Sequence, residues 1–241
     1  MTEKIIHAEV ISLTESNERR EMVHAQLSDC PYISWEFLDA VDGRKLMSDP
    51  PEYSRKRAKR LMGWTLTDGE IGCFLSHRLA WRKCLLKDTM ILILEDDFLI
   101  KPILPAALEF AVDNISAWDV LRLQAIHDHG SRAIITQNGD FDMVQNIGDP
   151  FGCTAYLVKP AAANILLKQS EQFYEPVDNY LENEEMHGLR MVAVKPYPVD
   201  ITHLDSTITG RESRSSVRGF QQFKRSFFRM LNRVATGEKK P

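Results

Sequence analysis

The sequence predicts an α/β fold in which a mostly parallel central sheet is flanked by helices. Short apolar segments of strand length alternate with segments that repeat apolar residues at helical spacing, a pattern typical of α/β domains. Residues 90–94 are entirely apolar, as in strands that are covered on both faces. A length of 241 residues fits one domain with an appendage.

Six segments are predicted strands because they are short and apolar, or alternate between apolar and polar residues: 8–13, 35–38, 90–94, 120–123, 154–158 and 192–194. The first predicted helix is 16–27. The second begins after Thr67 and continues through Leu85, because Glu70 stands three residues after Thr67, the spacing of a capping box. The third covers 160–169 and starts with a proline, which favours the first helical position.

Composition excludes several classes of protein. The formal net charge of −4 argues against nucleic-acid binding, since such domains usually carry a strong positive balance. The N-terminal residues lack the features of a signal peptide, and no apolar run approaches the roughly 18 residues that a membrane span needs, so we expect a cytoplasmic protein. The cysteines form no CxxC pair, which excludes the usual zinc frameworks and favours four reduced, mostly buried thiols: Cys30, Cys73, Cys84 and Cys153.

Three acidic residues follow the apolar strand 90–94 directly: Glu95, Asp96 and Asp97. Ligands of open α/β sheets bind at the carboxyl ends of the strands, so these carboxylates lie where a substrate would bind. Neighbouring carboxylates repel each other unless a cation or hydrogen bonds compensate them, and Mg²⁺ and Mn²⁺ prefer oxygen ligands. The segment therefore predicts a site for a metal and a diphosphate, and the alternative is a solvent-exposed acidic turn.

Three blocks of sequence together resemble glycosyltransferase family 25, the bacterial lipooligosaccharide glycosyltransferases. The first is VISLTESNERR at 10–20 with FLDAVDG at 37–43, and the second is LTDGEIGCFLSH at 66–77 with ILEDD at 93–97. The third is GCTAYLVKPA at 152–161 with PVDN at 176–179. The resemblance implies a GT-A-like domain over residues 1–210 and a metal-dependent, inverting transfer of a hexose, by resemblance galactose, from a UDP-sugar to a lipooligosaccharide or lipopolysaccharide acceptor.

The acidic segment would hold the metal, Mn²⁺ or Mg²⁺, in such an enzyme. The resemblance assigns Asp97 to the metal and gives Asp96 metal or ribose contacts, while Glu95 would bond the ribose or orient the loop. Enzymes of this type often take another metal ligand from late in the chain. His203 is the candidate for that ligand, and His187 competes with it.

The resemblance implies a donor site built from the three segments that precede the acidic segment, 10–20, 37–43 and 66–77. Its residues are Ser12, Leu13, Arg19, Asp42, Gly72, Ser76 and His77. Ser12 and Leu13 end the first predicted strand, where a nucleobase could meet backbone groups. Arg19 would grip the diphosphate, or it is a helix charge paired with a nearby glutamate. Asp42 would read the uridine, or it is the aspartate of an Asp-Gly turn.

An inverting transfer needs a base that takes the proton of the acceptor hydroxyl as that hydroxyl attacks the anomeric carbon. A carboxylate opposite the leaving group suits this role. Asp178 is the candidate, and Glu182 is held in reserve.

Residues 211–241 form a basic tail outside the resemblance. They contain nine basic and two acidic residues, a net +7 that leaves −11 for residues 1–210. Apolar residues recur at gaps of three and four over 220–234, which predicts an amphipathic helix. Such a helix favours an anionic membrane surface, here the inner face of the bacterial cytoplasmic membrane, where the lipid-anchored acceptor would lie. The alternative is a helix that packs on the acidic body.

Two functions of other classes compete with the transferase. One is a protein that binds a sugar nucleotide or a glycan and retains the fold without catalysis, although an intact acidic segment argues against it. The other is a membrane-surface adaptor that works through the tail, which leaves the block at 66–77 unexplained.

Overall fold

The computed structural model describes residues 5–148 and 150–202. The predicted tail helix and His203 lie outside the described residues, so both stay predictions. None of the described helices is long and apolar enough to span a membrane.

One sheet organises the described chain, and its eight strands are β1 (Ile6–Ser12), β2 (Ile33–Asp39), β3 (Ile91–Glu95), β5 (Val120–Arg122), β6 (Ser131–Gln137), β7 (Asp142–Asn146), β8 (Ala155–Val158) and β9 (Met191–Lys195). Their order is β2-β1-β3-β8-β5-β9-β7-β6. Six strands run in one direction, and β7 and β8 run against them. The predicted α/β fold with a mostly parallel sheet is therefore confirmed, and all six predicted strands are present.

Helices cover both faces of this sheet: α1 (Asn17–Leu27), α2 (Arg55–Met62), α3 (Asp68–Lys87), α4 (Leu104–Asp113), α5 (Pro160–Gln169), α6 (Val177–Leu181) and α7 (Glu184–His187). Apolar residues of α1 and α4 form a core with one face, and those of α3, α5 and α6 form a second core with the other. The two cores explain why β3 is apolar at every position that faces a helix, since both of its sides are buried.

Local signals in the sequence fix the ends of several helices. The capping box before α3 is present, because the Thr67 hydroxyl accepts from the Glu70 N–H at 3.2 Å and the Glu70 carboxylate accepts from the Thr67 N–H at 2.8 Å. Helix α2 was not predicted, since five of its eight residues are basic and only Ala58 and Met62 are buried. The β6–β7 hairpin was missed for a similar reason: β6 is exposed along nearly all its length, so burial imposes no alternation on it.

A close backbone approach joins the start of α3 to the turn after β2. A Cβ atom on Gly72 would lie 2.4 Å from the Val41 carbonyl oxygen, so only glycine fits there. The Ser76 hydroxyl accepts from the Val41 N–H at 2.9 Å and donates to the Gly72 carbonyl at 2.7 Å. These contacts hold the turn at Gly43–Lys45 against α3.

A small second sheet completes the region around the acidic segment. Its strands are β4 (Phe98–Ile100) and β10 (Val199–Ile201), which pair antiparallel. The pairing brings the end of the described chain beside the acidic segment, where the Thr202 N–H donates to the Asp97 carbonyl at 2.7 Å.

Candidate active site

The carboxyl ends of β1 and β3 meet at one edge of the sheet, since Ile11 pairs with Glu95 in parallel register. Both oxygens of the next carboxylate are bonded: Ser12 Oγ donates to Asp96 Oδ2 at 2.7 Å, and Arg19 Nη1 donates to Asp96 Oδ1 at 2.7 Å. The structure therefore brings three predicted site residues together. Arg19, on α1, pairs with Asp96 of the acidic segment.

In the acidic segment, Asp97 has one carboxylate oxygen that accepts no hydrogen bond from the described residues. Its Oδ1 atom is buried and has no hydrogen-bond partner among the described residues. Burial, together with the charges of Glu95 and Asp96, raises the pKa of Asp97 to about 7, although Arg19 acts to lower it. An orphaned carboxylate oxygen next in sequence to a second carboxylate, Asp96, fits a divalent cation that prefers oxygen ligands.

Glu95 points away from this position and towards α3. Its Oε1 atom accepts from His77 Nε2 at 3.2 Å and from the thiols of Cys153 and Cys73 at 3.3 and 3.5 Å. Burial would raise the pKa of Glu95, yet the hydrogen bonds and charge of His77, with the two thiols, lower it to about 2. Contact of Glu95 with the ribose is not supported by this orientation, whereas its predicted alternative, orienting the loop, is consistent with it.

Three residues of the predicted donor site are buried: Gly72, Ser76 and His77. Ser76 and His77 are 1% and 0% exposed. Backbone atoms of Val41 and Gly43 occupy the space into which a side chain at Gly72 would point. Contact of these residues with a nucleotide sugar stays a prediction. Their role is to hold α3 against the turn and against β3.

Asp42 and Leu13 occupy the rim of the same edge. Asp42 caps the turn at Gly43–Lys45 and accepts from Arg44 Nε and Nη2, each at 2.8 Å, so the Asp-Gly turn interpretation accounts for it. The Leu13 carbonyl accepts from Arg20 Nε at 3.2 Å. Contact of Leu13 with a nucleobase stays a prediction.

The acceptor-side candidates lie around α6. Glu182, the reserve base, forms an ion pair with Arg122, whose side chain is only 3% exposed, so its charge is already compensated. Asp178 lies in the first turn of α6, where its Oδ1 accepts from the Asn179 N–H at 2.9 Å. Its charge is among the causes that raise the pKa of the Cys153 thiol, after a hydrogen bond with Cys73, burial and the charges of Glu95 and Cys73.

His187 does not fit the predicted competing role of a metal ligand. Its Nε2 atom contacts the Leu181 carbonyl at 3.2 Å, and its Nδ1 atom accepts from the Leu189 N–H at 3.1 Å. Both ring nitrogens are thus engaged by backbone, and the ring is buried.

Two residues near this edge of the sheet were not predicted as site residues from the sequence. Arg122 is the last residue of β5, Gln124 lies two residues beyond it, and both are buried. Neither amide atom of Gln124 has a hydrogen-bond partner among the described residues. The signal was present, because a charged residue inside the apolar strand 120–123 needs a buried partner.

The sequence of this chain matches the model of one known protein family. The family model described as Glycosyltransferase family 25 (LPS biosynthesis protein) matches residues 5–181, which include the acidic segment and Asp178. The chain belongs to glycosyltransferase family 25. The family resemblance expected from the three sequence blocks is therefore confirmed.

Relatives within family 25 are both bacterial and animal. A glycosyltransferase 25 family member of Aedes aegypti is 29% identical over 90% of this chain and 40% of its own length. The lipooligosaccharide biosynthesis protein lic2B of Haemophilus influenzae is 39% identical over 38% of this chain and 33% of its own length. The inactive glycosyltransferase 25 family member 3 of Homo sapiens is 30% identical over 71% of this chain and 30% of its own length. The chain thus spans less than half of these relatives.

Among solved structures, a glycosyltransferase involved in the glycosylation of the major capsid of PBCV-1 superposes with a TM-score of 0.43 at 8% identity. The superposition covers 91% of this chain and 99% of that chain.

Proposed function

We propose that this family 25 chain is a metal-dependent, inverting glycosyltransferase that moves a hexose from a UDP-sugar to a lipid-anchored oligosaccharide. The observation that carries the proposal is the orphaned Asp97 Oδ1, buried and next in sequence to a second carboxylate, Asp96, at the carboxyl end of β3. Galactose as the hexose follows from the family resemblance alone. Lipooligosaccharide or lipopolysaccharide as the acceptor follows from the resemblance and from the name of the Haemophilus influenzae relative, a lipooligosaccharide biosynthesis protein.

Asp97 would hold the cation, Mn²⁺ or Mg²⁺, with Asp96 beside it and His203 as a further ligand. When bound, such a cation acts as a Lewis acid that stabilises the negative charge on a departing diphosphate. Ser12 and Arg19 fix both oxygens of Asp96 in place before substrate binds. Arg19 also brings a guanidinium to this edge, where its positive charge favours a diphosphate.

Asp178 would accept the proton of the acceptor hydroxyl on a carboxylate oxygen. Inversion requires the base to lie across the anomeric carbon from the leaving group, and Asp178 lies on α6, a different element from the strand β3 that leads to the acidic segment. Glu182 is less suited because its carboxylate is already engaged in an ion pair with the Arg122 guanidinium.

The tail would bring the enzyme to its acceptor. Its net charge of +7 and its amphipathic pattern support binding to an anionic leaflet, where each basic residue contributes about 1 kcal/mol. We therefore propose a cytoplasmic enzyme held peripherally at the inner face of the membrane. Vesicle sedimentation of the full chain and of a chain ending at Gly210 tests this part separately from catalysis.

A sugar-nucleotide-binding protein without catalysis is the second candidate, favoured by the naming of the human and Bos taurus relatives as inactive or probably inactive. Binding and turnover separate the two. UDP-sugar should raise the melting temperature of the wild type only with added Mn²⁺, by an amount equivalent to about 2.7 kcal/mol at a ligand concentration one hundred times Kd.

Asp97→Asn should abolish this stabilisation, whereas Asp140→Asn, at an exposed carboxylate of the β6–β7 turn, should retain it. Asp178→Asn should keep the stabilisation and lose transfer of sugar to acceptor. Stabilisation of the wild type without any transfer would favour the binding protein. Stabilisation by no nucleotide would refute both.

A further inference from the structure

Four side chains with metal-ligating atoms meet between α3, the end of β3 and the residue before Thr154: Cys73, His77, Glu95 and Cys153. Their ligand atoms all lie within 4.8 Å of one another. Cys73 and His77 are four residues apart on α3, a spacing that puts them on one face of the helix. We call these four residues the thiol cluster.

The distances in the thiol cluster match the edges of a small tetrahedron. Zinc binds thiolate sulfur at about 2.3 Å and nitrogen or oxygen at about 2.0–2.2 Å, so two ligands at a tetrahedral angle lie about 3.3–3.8 Å apart. Glu95 Oε1 lies 3.2 Å from His77 Nε2, 3.3 Å from the Cys153 sulfur and 3.5 Å from the Cys73 sulfur. Little movement is needed to place one ion among the four atoms.

Surrounding residues orient these ligands as they do in metal sites. The other nitrogen of the imidazole, His77 Nδ1, lies 2.8 Å from the Tyr156 hydroxyl, which in turn accepts from Trp81 Nε1 at 3.0 Å. With its proton on Nδ1, the ring presents the Nε2 lone pair to the cluster. The second carboxylate oxygen, Glu95 Oε2, accepts from Thr154 Oγ1 at 3.3 Å.

We propose that the thiol cluster binds one Zn²⁺ ion as a structural site. Two cysteines, a histidine and a carboxylate complete four-coordination and leave no open position, as in structural zinc sites. Thiolate ligands select zinc over Mg²⁺ and Mn²⁺, so this ion is distinct from the one proposed at Asp97. Partial exposure of Cys73 and Glu95 provides a path of entry.

The zinc would fasten α3 to the strand that carries the acidic segment. Glu95 immediately precedes the two carboxylates assigned to donor binding, so a metal bond at Glu95 fixes the point from which Asp96 and Asp97 project. Zinc binding by the thiol cluster does not require a nucleotide, so the zinc content can be measured without any sugar donor.

The test is the metal content of the full chain, purified under reducing conditions from zinc-supplemented medium and dialysed. We expect about one zinc per chain in the wild type and at least a tenfold lower content in Cys153→Ser and Cys73→Ser. Cys84→Ser is the matched control, because Cys84 is a buried cysteine on α3 that donates to backbone carbonyls of Thr89 and Val158. Asp97→Asn should also retain zinc. Tyr156→Phe should weaken zinc affinity about 10–100-fold, as loss of an orienting partner does.

Cobalt substitution of the wild type covers the case in which the serine variants fail to fold. Two thiolate ligands give Co²⁺ an intense near-ultraviolet charge-transfer absorption that nitrogen and oxygen ligands do not give. Absence of both zinc and this absorption, with free thiols intact, would show that the cluster is only a hydrogen-bonded network. A mass lower by two hydrogen atoms, with Cys73 joined to Cys153, would show a disulfide. Either result overturns the zinc site and leaves the nucleotide test unaffected.

Discussion

Replacing Arg122 should produce one of the largest losses of stability available at a single residue of this chain. The Arg122 side chain is 3% exposed and pairs with Glu182, which is 12% exposed. Its Nε donates to Glu182 Oε1, and its Nη1 donates to the Gly152 carbonyl. Arg122→Met would leave the Glu182 charge in a poorly solvated place without its guanidinium.

The expected cost follows from the burial of this pair. Removing one partner of a buried ion pair costs about 3–5 kcal/mol, because the remaining charge is uncompensated. An exposed pair provides the comparison: Arg55 and Asp49 are 52% and 33% exposed, and such pairs contribute about 0.2–1 kcal/mol. Arg55→Met should therefore cost less than Arg122→Met by at least about 2 kcal/mol.

Urea unfolding of the two variants measures this difference directly. The double variant Arg122→Met/Glu182→Gln should recover part of the loss, since it removes the buried carboxylate charge along with its guanidinium partner. If Arg122→Met costs no more than Arg55→Met, or if the double variant is no more stable than the single one, burial of the Arg122–Glu182 pair does not govern stability here.

Three further predictions concern the elements that support the site. Gly72→Ala should cost about 1–3 kcal/mol in urea unfolding, because its Cβ atom would lie 2.4 Å from a backbone oxygen; a cost below about 0.5 kcal/mol would contradict this close approach. Thr67→Ala should cost about 1 kcal/mol through loss of the capping box, and Thr67→Ser should restore most of it. Burial acts to raise the pKa of Asp119, but hydrogen bonds from Arg190 and Lys159 lower it to about 2. This stabilisation is present above the unfolded pKa of about 3.9 and is lost as pH falls towards 2, so Asp119→Asn should flatten the unfolding free energy over that range. An unchanged slope would contradict this assignment.

The fold was accessible from the sequence wherever burial imposes a pattern. Strands β3 and β8 are covered on both faces, so their segments are short and apolar. Helices α3 and α5 carry their own start signals in Thr67 and Pro160. The exposed β6–β7 hairpin and the basic helix α2 carry no such constraint. Their positions depend on neighbours that are distant in the chain, which local patterns do not encode.

The location of the candidate site was predicted from the sequence, but the partners and burial of its individual residues were not. The end of β1, Arg19 and the acidic segment do meet at one edge. Burial of His77 and Ser76 could not be foreseen, because α3 is apolar or small around most of its circumference and no single face stands out. The meeting of Cys73 with Cys153 joins residues 80 positions apart, a contact that only the sheet order creates.

The three consecutive carboxylates show why an acidic run is not a single site. Side chains along a strand point alternately to its two faces, so Glu95 shares the face of Ile91 and Ile93 towards α3, while Asp96 continues the face of Leu94 towards α1. Because β3 is apolar on both faces, the sequence alone does not reveal which carboxylate faces which helix. Once α3 presents His77 and two thiols on one side and α1 presents Arg19 on the other, each of the first two carboxylates has its own partner. Asp97 is left at the edge with a buried oxygen and no such partner among the described residues, and for that reason the proposed donor metal is assigned to Asp97 before the other two.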